Sequence, residues 1–323
     1  MTAAPQTTKN GSAWTERPRQ RRVFNNPDVV ARSWYPVARS RQIKRGKVRS
    51  FNVLNRRIAL YRDASGRIHV LDARCPHLGA DLGRGTVEGD SLRCAFHGWG
   101  FGPDGHCRHA PGLEDVPKRR MRAYLVEERW GIAWLFNGPE PLFALPQTPK
   151  GLRVARLPSR TIRCHPHLVV ANGLDSTHFE ALHGMDFSEP PRLTVHDGFR
   201  ISLHLKGRPR SPILGALTGS RDSDIVASFT TLGASLAWAE VLEPVYFCTL
   251  FSALPTPEGF CEPAVVAFLP RRPDLALRAT ALMYTLLRDD DKVLNDIRFR
   301  PGYTEQDAAF ETFARSVDAM ETW

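Results

Sequence analysis

Residues 75–101 read CPHLGADLGRGTVEGDSLRCAFHGWGF, and this stretch decides the fold of the first half of the chain. It contains two short segments that each combine a cysteine with a histidine, Cys75-Pro76-His77 and Cys94-Ala95-Phe96-His97, with 16 residues between them. The residues around both segments predict short β-hairpins with tight, glycine-rich turns. Two hairpin tips of this kind can present four metal ligands to one point.

Equal numbers of cysteines and histidines fit two kinds of metal centre. One is a tetrahedral zinc site with two of each ligand, which stabilises small domains. The other is a Rieske [2Fe–2S] cluster, in which two thiolates bind one iron and two imidazoles bind the other. A zinc finger places its two cysteines together and its two histidines together, whereas each segment here has one of each. The spacing therefore favours a Rieske cluster on Cys75, His77, Cys94 and His97.

The chain has 323 residues, which is the size of about two domains. Residues 57–62 and 67–72 predict one hairpin, and residues 124–127 and 132–136 predict another strand pair. Glycine and prolines at 137–141 indicate a boundary. We therefore expect a basic N-terminal tail at 1–33, a β domain at 34–140 and a second domain at 141–323. Six cysteines and the absence of a signal-peptide pattern indicate reduced thiols or metal ligands in a cytoplasmic protein.

The second half of the chain mixes helices and strands. Residues 172–183 predict a helix that Gly184 ends, and a second helix is expected from about Glu305 to the C-terminus. The strand patterns are at 192–204, 225–230, 235–252 and 263–269. Residues 206–224 are rich in glycine, proline and serine and predict a long loop.

His178 and His183 are candidate ligands of a second metal. Two histidines and one carboxylate form the facial triad that leaves positions open on Fe(II). Five residues of separation place the two side chains roughly 140° apart on an ideal helix. Both can bind one metal only if the helix widens or ends there. Taken alone, the pair is better explained as two ordinary histidines on a helix surface.

Together the two patterns resemble the oxygenase component (alpha subunit) of Rieske-type non-heme iron oxygenases. Residues 172–183 match that family's pattern Asn-x-x-Asp-x-x-His-x4-His. The resemblance implies that Asp175 hydrogen-bonds a metal-binding histidine and reaches a cluster histidine of the neighbouring subunit. The alternative is an ordinary helix N-cap. Ala80 and Phe96 stand where Rieske proteins of cytochrome complexes have a disulfide, which favours an oxygenase or a ferredoxin.

A third iron ligand is expected among the C-terminal carboxylates. The candidates are Asp289, Asp290, Asp291, Asp296, Glu305, Asp307, Glu311 and Asp318. Asp307 continues the apolar stripe of the last helix, and a carboxylate on a buried stripe needs a cation or metal. The resemblance agrees, since an aspartate opens the final helix in that family. We therefore predict Asp307 as the ligand; the alternative is a capping box with Thr304.

The resemblance implies an α+β fold, with an all-β Rieske domain followed by an antiparallel sheet flanked by helices. It implies the terminal oxygenase of a multicomponent Rieske monooxygenase, with a [2Fe–2S] cluster and a mononuclear non-heme Fe(II). Electrons come from NAD(P)H through a separate reductase, with or without a ferredoxin. Head-to-tail homotrimers bring the cluster of one chain beside the iron of the next. The expected substrate is a small, largely hydrophobic organic molecule. The alternatives are a non-catalytic Rieske electron carrier and a zinc-stabilised binding protein.

The net charge is +10 at pH 7. Arginines in the tail and cations between residues 39 and 49 contribute much of it, without the aromatic and glycine pattern of a nucleic-acid-binding module. No apolar run is long enough for a transmembrane helix. We therefore expect neither nucleic acid nor membrane as a partner. The charge fits a solvated surface or the attraction of an acidic protein.

Overall fold

The computed structural model describes residues 22–26, 29–220, 223–256 and 260–322. Most of the predicted basic tail, residues 1–21, lies outside this part of the chain. The first ten strands precede residue 140. They are β1 Trp34–Arg39, β2 Lys47–Val53, β3 Arg56–Arg62, β4 Ile68–Asp72, β5 Thr86–Glu88, β6 Ser91–Arg93, β7 Gly100–Phe101, β8 Cys107–His109, β9 Ala123–Arg129 and β10 Ile132–Phe136.

These ten strands form two antiparallel sheets. One has six strands in the order β1-β10-β9-β4-β3-β2, and the other has four in the order β5-β6-β7-β8. The hairpins predicted at 57–72 and 124–136 are confirmed, since β3 pairs with β4 and β9 with β10; β5 also pairs with β6. Residues 34–136 therefore form an all-β region in which β2 is an edge strand.

The remaining strands form one antiparallel sheet in the order β11-β18-β17-β16-β15-β14-β12, and β13 pairs with β14. Five α-helices accompany it in the described part of the chain. The strands are β11 Arg153–Leu157, β12 Met185–Phe187, β13 Arg192–Asp197, β14 Arg200–Pro209, β15 Ile225–Leu232, β16 Leu236–Glu243, β17 Phe247–Pro255 and β18 Cys261–Leu269. The helices are α1 Pro166–Ala171, α2 Ser176–Ala181, α3 Pro212–Thr218, α4 Pro273–Leu294 and α5 Ala308–Asp318.

The predicted α+β class is confirmed, but several local predictions need correction. The strand expected at 192–204 is the hairpin β13–β14. The helix expected at 172–183 is a 3₁₀ turn at Asn172–Leu174 followed by α2, with Asp175 extended between them. The loop expected at 206–224 contains α3, which Ser211 caps at its N-terminus and Gly219 ends in a left-handed conformation. The single strand expected at 235–252 is the hairpin β16–β17. The longest helix, α4, was not predicted; it begins with a proline in its first turn, as helices commonly do.

The two halves of the chain share a hydrophobic core. Trp34 and Trp134 pack in one cluster with Leu250 and Phe268 of the large sheet. The described part of the predicted tail is also ordered, because the backbone N–H groups of Val23 and Phe24 both donate to the Asp318 carboxylate of α5. Within the described residues, no helix is long and apolar enough to cross a bilayer.

Candidate metal centres

The two Cys–His segments adopt the same backbone turn. In the first, the Cys75 N–H donates to the Ala80 carbonyl and the Gly79 N–H donates to the Cys75 carbonyl. In the second, the Cys94 N–H donates to the Trp99 carbonyl and the Gly98 N–H to the Cys94 carbonyl. Both glycines have positive φ, 78° and 71°, which residues with a Cβ adopt only with strain. The repeated glycine thus fixes two matching loops.

The side chains of these loops converge. The ring centroids of His77 and His97 lie 4.6 Å apart. The Trp99 ring stacks on His77 at 4.4 Å with 5° between the planes. Cys75 and Cys94 are each 3% exposed and belong to one hydrophobic cluster. The four residues predicted from the sequence therefore meet at one end of the small sheet.

The donor set of these loops fits a two-iron cluster. Burial raises the pKa of the Cys75 thiol to about 11, so a metal must supply the driving force for the thiolate. The His77 Nδ1 atom is buried and has no hydrogen-bond partner among the described residues. Buried polar atoms rarely remain unpaired, so this nitrogen is suited to bind a metal.

The second pair of histidines lies where α2 ends. The Leu182 and His183 N–H groups both donate to the His178 carbonyl, at 2.7 and 3.3 Å. The second bond spans five residues, which is the widened turn that brings both imidazoles to one side. Gly184 follows with φ 63°. The helix therefore both widens and ends at these residues, as the five-residue spacing of His178 and His183 requires if both are to bind one metal.

The carboxylate beside these histidines belongs to Asp290 of α4. Its Oδ1 lies 3.0 Å from the His183 Nε2 and 3.7 Å from the His178 Nε2. In the described part of the chain, these three residues form the group whose ligand atoms all lie within 4.8 Å of one another. Two imidazoles and one carboxylate are the donor set of a facial triad.

Asp307 does not join this group, so the structure corrects the predicted third ligand. Its Oδ2 accepts hydrogen bonds from the Thr304 N–H and hydroxyl, at 2.7 and 2.8 Å. The two residues form a capping box, the alternative considered above. Residues Glu305–Asp307 form a 3₁₀ turn, so Asp307 leaves the helical stripe that α5 follows. Asp290 was among the candidate carboxylates, but α4 itself was not predicted.

Asp175 caps α2 and orients His178 through its backbone. Its Oδ1 accepts from the Thr177 and His178 N–H groups, at 3.0 and 3.2 Å. The His178 Nδ1 lies 2.6 Å from the Asp175 carbonyl oxygen. A carbonyl only accepts, so Nδ1 carries the proton and Nε2 keeps its lone pair for a metal. The carboxylate oxygen Oδ2 has no hydrogen-bond partner among the described residues.

The protonation state of His178 fits a metal between these side chains. Burial lowers the pKa of His178, which favours the neutral imidazole that metals bind. In His183, the Nε2 atom faces Asp290, and the opposite Nδ1 atom is buried with no hydrogen-bond partner among the described residues. Asn172 adds an amide whose Nδ2 lies 3.4 Å from the His178 Nε2.

A cavity of about 190 Å³ opens beside the three candidate ligands. It lies between the large sheet and α4. Phe179, Phe229 and Phe251 form one wall through successive ring contacts of 5.6 and 6.2 Å. No Lys or Arg side chain lines it within the described ranges. The arrangement can hold an apolar molecule against a metal with open positions.

Comparison with known proteins agrees with this geometry. The family model of the Rieske [2Fe-2S] domain matches residues 33–120. The oxygenase component of 3-ketosteroid-9-alpha-monooxygenase from Mycolicibacterium smegmatis is 29% identical over 228 residues, 66% of this chain and 58% of that protein. The 4beta-methylsterol monooxygenase of Methylococcus capsulatus is 35% identical over 180 residues, 52% of this chain and 48% of that protein. The chain thus spans about half the length of these curated relatives.

The fold is that of a solved oxygenase. A crystal structure of dicamba monooxygenase bound to 3,6-dichlorosalicylic acid superposes with a TM-score of 0.71 over 89% of this chain and 96% of that chain, at 21% identity. The likeness covers both the small β region and the large sheet with its helices.

Proposed function

We propose that this chain, which is a Rieske-domain protein related to the oxygenase components of Rieske-type monooxygenases, is itself the terminal oxygenase of such a system. The grouping of His178, His183 and Asp290 at the mouth of an apolar cavity is the observation that carries the proposal. A non-catalytic Rieske electron carrier has no use for a second donor set facing a cavity.

The [2Fe–2S] cluster would be held by Cys75, His77, Cys94 and His97. The mononuclear Fe(II) would be held by His178, His183 and Asp290. When bound, the cluster supplies electrons and the mononuclear iron activates O2. The protein orients the metal ligands and excludes water from the cavity. The Asp175 carbonyl fixes the tautomer of His178, and the phenylalanine wall keeps water from the substrate face.

The cavity points to a neutral, largely hydrophobic substrate. Its lining is aliphatic and aromatic, and its charged lining residues are acidic, so an anionic substrate has no cation to pair with. The two relatives named above act on a ketosteroid and a methylsterol by their names, which agrees with a polycyclic substrate. We propose a steroid-like molecule for this chain.

Thr249 gives such a substrate an orientation. This residue of β17 is 2% exposed, lines the cavity, and donates its hydroxyl to the Met283 thioether at 2.8 Å. A thioether is a weak acceptor, so a substrate carbonyl or hydroxyl can replace it. Met283 precedes Asp290 by seven residues of α4, roughly 10 Å along the helix axis. A substrate oxygen at Thr249 would leave the far end of the molecule at the iron ligands.

The oligomer and the electron supply follow from the same proposal. A head-to-tail homotrimer places the cluster of one chain beside the iron of its neighbour, and Asp175 Oδ2 is the group that would bridge them. Leu78 and Phe96, 66% and 62% exposed beside the cluster histidines, form an apolar tip suited to that contact. Electrons come from NAD(P)H through a separate reductase, with or without a ferredoxin, in the cytoplasm.

Metal analysis and turnover test the proposal. Purified protein should contain two acid-labile sulfides and about three irons per chain. With a reductase and NADH, a steroid ketone such as progesterone should stimulate O2 uptake and yield an oxidised product. Cluster iron without mononuclear iron would instead identify an electron carrier, and zinc without labile sulfide would exclude the Rieske cluster.

A further inference from the structure

The positive charge of this protein is concentrated in one region. Residues 34–140 contain 19 Lys or Arg and 11 Asp or Glu, whereas residues 141–323 contain 19 and 21. The half of the molecule that holds the Cys–His loops is therefore strongly basic, and the half that holds the substrate cavity is slightly acidic. If the charges served only to keep the surface solvated, no such difference between the two regions would be expected.

Within the basic half, residues 39–49 form what we call the basic strip. It has six cations and no acid in eleven residues. They are Arg39, Arg41, Lys44, Arg45, Lys47 and Arg49. All six are exposed, and none makes an ion pair with a described residue. The nearby carboxylates are already paired elsewhere, Glu128 with Arg62 and Asp81 with Arg57.

The basic strip is fixed in place rather than a loose loop. Ile43, in its middle, is 2% exposed and belongs to the core of the six-stranded sheet. Its last three residues belong to β2, the edge strand of that sheet. The Arg49 guanidinium lies 5.6 Å from the centre of the Phe51 ring. The charges therefore keep a defined spacing, which a specific partner can match.

The strip also lies close to the cluster loops. Val48, between Lys47 and Arg49, packs on the opposite face of β2 against the hydrophobic cluster that contains Cys75 and Cys94. Ser50 of the same strand donates to Asp81, six residues after Cys75. A protein docked on the exposed face of β2 would thus contact the strand whose other face packs against the hydrophobic cluster of the Cys–His loops.

We propose that the basic strip docks the electron donor, an acidic [2Fe–2S] protein. This inference rests on the proposed function, in which the apolar tip contacts the neighbouring subunit and is closed to a donor. The donor loses one electron, and the centre held by the four Cys and His ligands gains it; no bond is made or broken. Complementary charge raises the rate of such encounters by about 10- to 1000-fold at low ionic strength.

Stopped-flow reduction of the oxidised holoenzyme tests this inference. The probe is a chemically reduced plant-type [2Fe–2S] ferredoxin of net negative charge, at 20 and 300 mM salt. The variant is Lys47→Glu/Arg49→Glu. The matched control is Arg271→Glu/Arg278→Glu, which reverses two exposed cations of the acidic half. A neutral reductant, reduced 5-deazariboflavin, reports whether the cluster is intact.

We expect the strip variant to be reduced at least tenfold more slowly at 20 mM salt, with the difference largely lost at 300 mM. The control and the deazariboflavin rates should match the wild type. The milder variant Lys47→Gln should show a smaller change in the same direction if the double variant folds poorly. Equal ferredoxin rates in all variants would overturn the inference, as would strip-dependent binding of duplex DNA or phosphatidylserine vesicles without a change in ferredoxin rates. Product formation in a single turnover with deazariboflavin tests the proposed function separately.

Discussion

At the scale of single residues, the identity of the third iron ligand is the sharpest prediction. Asp290→Ala removes the carboxylate that lies 3.0 Å from His183, so the mononuclear iron should be lost and turnover abolished. The cluster should remain, because its ligands belong to other loops. Iron and acid-labile sulfide analysis should give about two irons and two sulfides per chain.

Asp307→Ala is the matched control for that measurement. It removes a capping-box carboxylate, so it should lower the free energy of unfolding by about 1 kcal/mol and leave the iron content unchanged. Loss of mononuclear iron from Asp307→Ala with retention in Asp290→Ala would restore Asp307 as the ligand.

Asp175 caps α2, and one substitution separates this role from the bridging role proposed above. Asp175→Asn keeps an oxygen for the Thr177 and His178 N–H groups, so stability should change by less than about 0.5 kcal/mol. The amide places an NH2 group where the second carboxylate oxygen would accept a hydrogen bond from the neighbouring subunit. Both metal sites should remain while turnover falls about tenfold or more, because a mispaired buried donor costs about 1–3 kcal/mol. Normal turnover would leave Asp175 as a helix cap alone.

Thr249→Val tests how the substrate is oriented. Valine keeps the shape of threonine and removes the donor, so a steroid ketone should bind about fivefold more weakly, the equivalent of one neutral hydrogen bond. The hydrocarbon that lacks the oxygen should bind equally well to both proteins. Equilibrium dialysis with progesterone and pregnane measures the difference. Equal affinity of both proteins for progesterone would remove Thr249 from the substrate site.

At the scale of elements, the sequence was most informative where backbone geometry and chemistry agree. The two Cys–His loops, with Gly79 and Gly98 at positive φ, were predictable because the ligands and the turn residues are adjacent in the chain. The end of α2 was predictable for the same reason, because the spacing of His178 and His183 requires a widened turn.

The carboxylate that lies beside the two histidines is not the one predicted, although the reasoning that sought it was sound. A carboxylate on an apolar helical stripe was the correct signal, and Asp290 occupies that position with Met283, Leu287 and Leu294 at i−7, i−3 and i+4. The run of three aspartates at 289–291 resembles the solvated end of a helix. The sequence therefore does not show that Asp290 alone faces the histidines. In contrast, Asp307 precedes α5 in a 3₁₀ turn, where the helical periodicity no longer applies. Only the tertiary contact that brings Asp290 of α4 to His178 and His183 could separate the two.

Gly184 is the element-scale position whose substitution should affect the iron. It has φ 63° directly after His183, and a Cβ there meets nothing closer than 3.7 Å. The cost of Gly184→Ala is therefore backbone strain of about 1 kcal/mol, which relaxation of the turn would transfer to His183. We expect a lower melting temperature and weaker retention of mononuclear iron during dialysis. Gly198→Ala, with open space and no positive φ, should change neither. Full iron retention in Gly184→Ala would show that His183 does not depend on this turn.

At the scale of the whole molecule, the division of charge and the position of the two donor sets describe one path. Electrons would enter the basic half at β2 and reach the Cys–His loops. They would leave through His77 or His97, beside the apolar tip, toward a neighbouring chain. A closed ring of subunits in the same orientation gives every cluster an acceptor and every iron a donor. Electron transfer within one chain needs no such ring, so the two arrangements predict different behaviour for mixed oligomers.

Two inactive variants can therefore be combined to test the ring. Cys94→Ser should lose the cluster, and His178→Ala should lose the mononuclear iron, so each variant expressed alone should be inactive. When the two chains are co-expressed in equal amounts, a junction is active only if a His178→Ala chain donates to a Cys94→Ser chain. Random assembly makes this true of about one quarter of the junctions, so about a quarter of the wild-type turnover should return. Transfer within a chain predicts no recovery at any mixing ratio, since no single chain in the mixture carries both centres.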